Sequence, residues 1–201
     1  MARHRADERE GIARDTRERF VRSAIIEFSS VGFDEANINH ISMTAGFAKG
    51  TIYNYFPDKL SLYLEALDTA GNEHVTYILD RMRRKSDPSS RLASFFAAGF
   101  EYVGANAEAS RFVLTALFGQ DFAIRDRLGR IYTPLFRELR EQVLSPGIER
   151  SIFLGVPTSD TANLLMTLYL GTASQTDRKG KPYLSPKKVA DFALRAIAAG
   201  G

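Results

Sequence analysis

The chain has no cysteine, no tryptophan and only three histidines in 201 residues. Without thiols there is no disulfide framework, no thiolate nucleophile and no cysteine-bound metal. His4, His40 and His74 are scattered, and no HExxH, phosphate-binding glycine loop, GxSxG or CxxC occurs. Carboxylates such as Glu101, Glu108 and Asp121 are also dispersed. The expectation is therefore a protein that is not an enzyme and holds no cofactor and no metal. No apolar run approaches the roughly 20 residues needed to cross a bilayer. The charged start, M-A-R-H-R-A-D-E-R-E, lacks the apolar core of an export signal. A cytoplasmic protein with no membrane partner is expected.

Net charge is also scarce. The total is +3, and residues 1–60 carry nine Lys/Arg against nine Asp/Glu. Their distribution is uneven, because Asn37 to Pro57 contains Lys49 and no acid at all. A surface cleared of anions permits approach to a polyanion without attracting it strongly.

That acid-free stretch is also the most structured part of the sequence. Asn37 is placed to cap a short helix carrying Ile38, Ile41 and Ala45 on one face. Gly46 ends that helix, since glycine accepts the left-handed backbone of a helix exit. A second helix is predicted over Ala48–Tyr55 with Ile52 inward. Pro57 stops it, and Asp58 caps the helix that follows. Helix, glycine-bearing turn, helix is the arrangement whose second helix can enter a DNA major groove. Lys49, Gly50, Thr51, Tyr53, Asn54 and Tyr55 surround Ile52, and their hydroxyls, cation and amide suit phosphates and base edges. The alternative is an ordinary helical hairpin whose aromatics pack on neighbours.

The segments A-I-I-E-F-S-S-V-G-F at 24–33, I-S-M-T-A-G-F-A-K-G-T-I-Y-N-Y-F at 41–56 and P-D-K-L-S-L-Y after them closely resemble the N-terminal domain of TetR-family (tetracycline-repressor-like) regulators. The strong resemblance covers about a quarter of the chain. It implies phosphate contacts for Thr51, Tyr53, Tyr55 and Lys59, and base-edge or close-groove positions for Lys49, Gly50 and Asn54. Asn39 and His40 would add flanking contacts. Asn54 and Tyr55 replace tryptophan and histidine found in some family members, so no target sequence can be borrowed.

Around this stretch the sequence reads as helices almost without break, which predicts an all-α fold. Residues 1–14 read as a polar arm whose Arg3, Arg5 and Arg9 either follow DNA or are simply solvated. Residues 15–58 form the helix-turn-helix domain, with a first helix at Thr16–Val31 striped by Val21, Ala24, Ile25 and Phe28. Residues 59–201 form a larger helical domain, entered through one long helix from Lys59 to Arg84. His74 lies near its apolar stripe and reads as a satisfied core residue. Leu92, Phe95, Phe96, Gly99 and Val103 stripe a further helix. Leu128, Ile131, Leu135, Leu139 and Val143 stripe another, expected to kink near Thr133-Pro134.

The larger domain holds two candidate sites. Phe95, Phe96, Phe100, Phe112, Phe118, Phe122, Tyr132, Phe136, Met166 and Tyr169 are core formers singly, and together they could line an apolar pocket. The family resemblance implies such an effector pocket. The helix at 162–172, capped by Thr158 or Ser159, is apolar nearly all round and needs a second cover. Ser185-Pro186 starts a final helix. Leu164, Leu165, Leu168, Val189, Phe192 and Ala196 are therefore expected at a homodimer interface, as the resemblance also implies. Full burial within one subunit is the alternative. The expected function is a ligand-responsive transcriptional repressor that binds a palindromic double-stranded DNA operator as a homodimer. A small apolar or amphipathic effector of unknown identity would release it. The competing reading is a helical small-molecule-binding or scaffold protein whose N-terminal unit contacts protein instead.

Overall fold

A computed structural model of the chain describes residues 2–177 and 181–199, with side chains described at 8 and from 10 onward. The fold is all-α. Its helices are α1 (Ala2–Glu35), α2 (Ile38–Thr44), a 3-10 turn (Thr51–Asn54), α3 (Lys59–Arg83), α4 (Pro88–Ala105), α5 (Ala107–Leu117) and α6 (Phe122–Glu138). A π-helical segment (Leu139–Leu144), α7 (Ser145–Glu149), α8 (Thr158–Ala173) and α9 (Pro186–Ile197) follow.

The chain forms two compact units. One contains Met1–Ala70 and Glu108–Arg125, and the other contains Gly71–Ala107 and Asp126–Gly201. The first unit thus takes in the start of α3 and nearly all of α5, segments the sequence reading grouped with 59–201.

In the first unit, α1 buries Phe20, Val21, Ala24, Ile25 and Phe28, the stripe expected of an amphipathic helix. Ile41, Ala45, Ile52, Phe56, Leu62, Ala66 and Leu67 close the same core. Burying a large apolar side chain contributes roughly 1.5–3 kcal/mol, so this small unit has a core of its own. Phe28 is the centre of a ring cluster with Phe33 at 6.2 Å, Tyr63 at 5.0 Å and Phe112 at 5.9 Å. The helical backbone of α1 starts at Ala2 and so includes the segment read from sequence as a polar arm. Ala, Arg and Glu dominate that segment and all favour helix. The side chains of Arg3, Arg5 and Arg9 lie outside the described residues. Gly32, at φ 78, is the non-helical break within α1 that lets Phe33 turn inward.

In the second unit, α4 packs against α7, α8, α9 and the π-helical segment. It buries Leu92, Phe95, Phe96, Ala98, Phe100 and Tyr102. Asp87 caps it by accepting from the Ser90 N–H at 2.9 Å, and Pro88 supplies a preset first turn. Leu128, Tyr132 and Leu135 face inward from α6. Pro134 sits within α6, which runs on to Glu138 and changes to π-helical hydrogen bonding from Leu139. α8 starts after Pro157 with no side-chain cap, so neither Thr158 nor Ser159 plays the expected part. Thr161 Oγ1 instead donates to the Pro157 carbonyl at 2.8 Å. Ser185 does cap α9, accepting from Lys188 N–H at 3.3 Å.

Candidate functional site

α2 begins at Asn37, whose Oδ1 accepts from the Asn39 and His40 N–H groups at 2.9 and 3.3 Å. This is the cap its sequence predicts. The helix ends at Gly46, whose φ of 87 lies in the left-handed region. Buried Ser42 then donates its hydroxyl to the Ala48 carbonyl at 2.7 Å, which closes the turn.

The second element differs from the predicted Ala48–Tyr55 helix. Gly50 also has positive φ, 82, and a left-handed residue cannot sit inside a right-handed helix. The six residues left before Pro57 make at most a marginal helix. The chain therefore closes a single 3-10 turn, Thr51–Asn54, with Tyr53 N–H to Gly50 O at 3.1 Å and Tyr55 N–H to Ile52 O at 2.9 Å. Ile52 is buried beneath it.

This geometry divides the expected DNA contacts. Asn39, His40, Lys49, Tyr53 and Asn54 are exposed, whereas Gly50, Thr51, Tyr55 and Lys59 are half-buried. Tyr55 lays its ring against Phe20 at 5.3 Å. Lys59 Nζ donates to the Asp34 and Ala36 carbonyls at 2.8 and 3.1 Å and lies over the Phe33 ring. His40 Nδ1 is 2.7 Å from Glu27 Oε2, while Glu27 Oε1 accepts from the Asn37 N–H. Lys59, His40 and Tyr55 thus also hold the unit together.

Sequence reasoning missed Arg17. Its Nε donates to Glu65 Oε1 at 2.6 Å, its Nη2 pairs with Glu65 Oε2, and its Nη1 donates to the Tyr55 carbonyl at 2.7 Å. The guanidinium lies 4.3 Å from the centre of the Phe56 ring. Hydrogen bonding from Glu65 raises its already high pKa. A partner 48 residues away leaves no local spacing to read.

Residues 20–66 match the family model described as bacterial regulatory proteins, tetR family. The N-terminal domain is of the tetR family. It carries the DNA-binding helix-turn-helix of a transcription regulator. No match is found among curated proteins.

Solved structures of similar fold extend over both units. The fatty acid degradation regulator FadR of Bacillus halodurans aligns at TM-score 0.77 and 17% identity, over 89% of this chain and 94% of that one. FadR of Bacillus subtilis, solved in complex with stearoyl-CoA, aligns at 0.76 and 16%, over 92% and 98%. A TetR-family regulator from Marinobacter aquaeolei aligns at 0.66 and 19%, over 98% and 100%.

Downstream of this TetR-type domain, the ten aromatic and methionine candidates do not form one group. Phe95, Phe96 and Phe100 pack directly or through one another against Tyr169 in the core of the second unit, with ring centroids 5.0–6.3 Å apart. Tyr132 and Met166 are buried in that unit. Phe112 belongs to the Phe28 cluster of the first unit. Phe118 and Phe122 are exposed, at 72% and 77%. Half-buried Phe136 lines a cleft of about 430 Å³ with Thr133, Arg137, Arg140, Glu141, Ser159 and Asn163.

His74 is buried in the second unit, 5% exposed. Its Nδ1 lies 2.6 Å from the Tyr132 hydroxyl, its Nε2 lies 2.7 Å from the Tyr169 hydroxyl, and Tyr102 stacks on its ring at 4.7 Å. Burial lowers its pKa to about 4 and raises both phenols above their ordinary value. The neutral imidazole therefore donates to one tyrosine and accepts from the other. The expected satisfied core histidine is found, tied to α6 and α8.

The six interface candidates also separate. Leu165 and Val189 are buried within the unit, and Leu168 is half-buried. Leu164 and Phe192 are 69% and 62% exposed, and Ala196 is exposed with them.

Proposed function

We propose that this TetR-type chain is a homodimeric, ligand-responsive repressor whose two reading turns enter successive major grooves of a palindromic operator. The observation that carries the reading is the turn itself. Two left-handed glycines, Gly46 and Gly50, bracket it, and exposed Lys49, Tyr53 and Asn54 belong to a stretch, residues 37–57, that contains no acid. Lys49 and Asn54 suit base edges, and the Tyr53 hydroxyl suits a phosphate. Two-fold related readers need half-sites about 34–36 Å apart, roughly one helical turn.

Exposed Leu164, Phe192 and Ala196 on α8 and α9 support pairing with a second copy. Residues 59–201 act as the effector and dimerisation region, entered through α3. An amphipathic, long-chain acyl thioester is the first effector class to test, because a fold neighbour was solved with stearoyl-CoA. Such a ligand releases DNA only if it binds the non-DNA conformation more tightly. Fluorescence anisotropy with labelled duplexes tests the reading. Binding that falls steeply with added salt, and falls further with stearoyl-CoA, supports it. No duplex binding at low salt rejects it, and equal affinities with and without stearoyl-CoA remove that compound as effector.

A further inference from the structure

The reading turn is a single 3-10 turn, and such a short element keeps its orientation only if its ends are held. Its N-terminal end is fixed by Gly50 and by the Ser42 hydroxyl on the Ala48 carbonyl. Its C-terminal end is held by the Tyr55 ring against Phe20, by buried Phe56 and by a long-range polar side chain. Arg17 of α1 holds the Tyr55 carbonyl with Nη1, covers the Phe56 ring, and grips both carboxylate oxygens of Glu65 on α3. A planar guanidinium offers such a fork, and lysine cannot reproduce it. α3 is also the helix that runs on past Ala70 into the second unit. A displacement of α3 against α1 therefore acts on Glu65, through Glu65 on Arg17, and through Arg17 on the last residues of the reading turn.

We infer that Arg17 is a positioning residue for DNA recognition: with Glu65 it couples the placement of α3 to the orientation of Thr51–Asn54 without itself touching DNA. The inference rests on the regulator reading above and adds the residue pair through which that reading operates.

The test uses the full chain and the duplex it selects from a random pool. Arg17→Gln and Glu65→Gln each weaken binding about tenfold, the equivalent of one charge-assisted hydrogen bond. The double variant binds about as well as either single one, because both remove the same coupling. The dependence of affinity on salt keeps its slope, since no phosphate contact is lost. Arg17→Lys behaves like Arg17→Gln. Amides of residues 51–56 exchange faster in the variants, while the Ile41 amide of α2 keeps its protection. Binding by Glu65→Gln equal to the unsubstituted chain, with Arg17→Gln giving a shallower salt slope, would make Arg17 a phosphate contact and overturn the inference. Additive losses, or uniform acceleration of exchange across the first unit, would also overturn it. If Arg17→Gln does not fold, Glu65→Gln carries the same comparison. Hydrogen exchange needs no DNA, so a chain that binds no duplex rejects the regulator reading while the tie is still tested.

Discussion

The Nε2 of His74 on α3 lies 2.7 Å from the hydroxyl of Tyr169 on α8, inside a core that admits almost no solvent. A neutral histidine fits there and a charged one does not. Its pKa falls from 6.5 unfolded to about 4 folded, so between those values the unfolded chain binds more protons. Stability is then full above pH 6.5, declines as pH falls, and has lost the whole contribution below about pH 4. The shift corresponds to roughly 3 kcal/mol. Urea unfolding at several pH values measures it, and His74→Gln should flatten this part of the profile.

Gly99 and Tyr169 form a second close relationship. A Cβ on Gly99 would run into the ring of Tyr169, and Tyr169 is fully buried. Gly99→Ala should therefore cost roughly 1–3 kcal/mol by overpacking. It should also disturb the His74 hydrogen bonds, visible as a partial loss of the acid-dependent change. A variant with unchanged stability would show that α4 and α8 can part freely.

Glu138, 7% exposed, meets Arg83 and Arg91 at 3.2 Å each. It ties the end of α3 and the start of α4 to the last residue of α6. Removing the carboxylate leaves Arg91, itself mostly covered, without these bonds. Glu138→Ala should lower unfolding free energy by roughly 1–3 kcal/mol, whereas Arg83→Ala, on the more exposed side, should cost less. Equal losses would show that the exposed arm matters as much as the covered one.

These relationships explain how far the sequence could be read. Signals confined to a few residues were legible: the Asn37 and Ser185 caps, the exit at Gly46, and the α1 stripe. The reading turn was legible in place and in exposed Lys49, Tyr53 and Asn54, but its helix type and the half-burial of Thr51 and Tyr55 were not. The left-handed backbone of Gly50, which sets where the turn begins, has no spacing signature. Arg17–Glu65 and His74–Tyr169 join positions 48 and 95 residues apart, and only the folded chain brings them together. Apolar periodicity also cannot divide inward from outward residues on a helix like α8. Leu164 and Leu165 therefore looked alike, yet one is exposed and the other buried.

The exposed face of α8 and α9 gives a prediction about assembly. Phe192→Glu should convert a dimer to single chains in sedimentation at micromolar concentration, because a charge replaces an apolar anchor at the proposed contact. Val189→Ala should instead destabilise the fold by about 1 kcal/mol or more, since Val189 is buried within the unit. If Phe192→Glu leaves the mass unchanged, the contact lies elsewhere.

Lys59 separates a structural from an electrostatic role. With two of its donors on the Asp34 and Ala36 carbonyls, Lys59→Met should lower unfolding free energy by roughly 1–2 kcal/mol. A loss of DNA affinity with a shallower salt slope and no loss of stability would assign Lys59 to phosphate instead.

The central claim is that a glycine-bracketed turn, presented twice, reads the edges of a double helix. Selection of bound duplexes from a random pool tests it most directly. The account predicts an inverted repeat with half-site centres about 10 base pairs apart, whose preferred bases change in Asn54→Ala and Lys49→Ala but not in Tyr53→Phe. A pool that stays random, or a single unrepeated motif unaffected by Asn54 and Lys49, would contradict it.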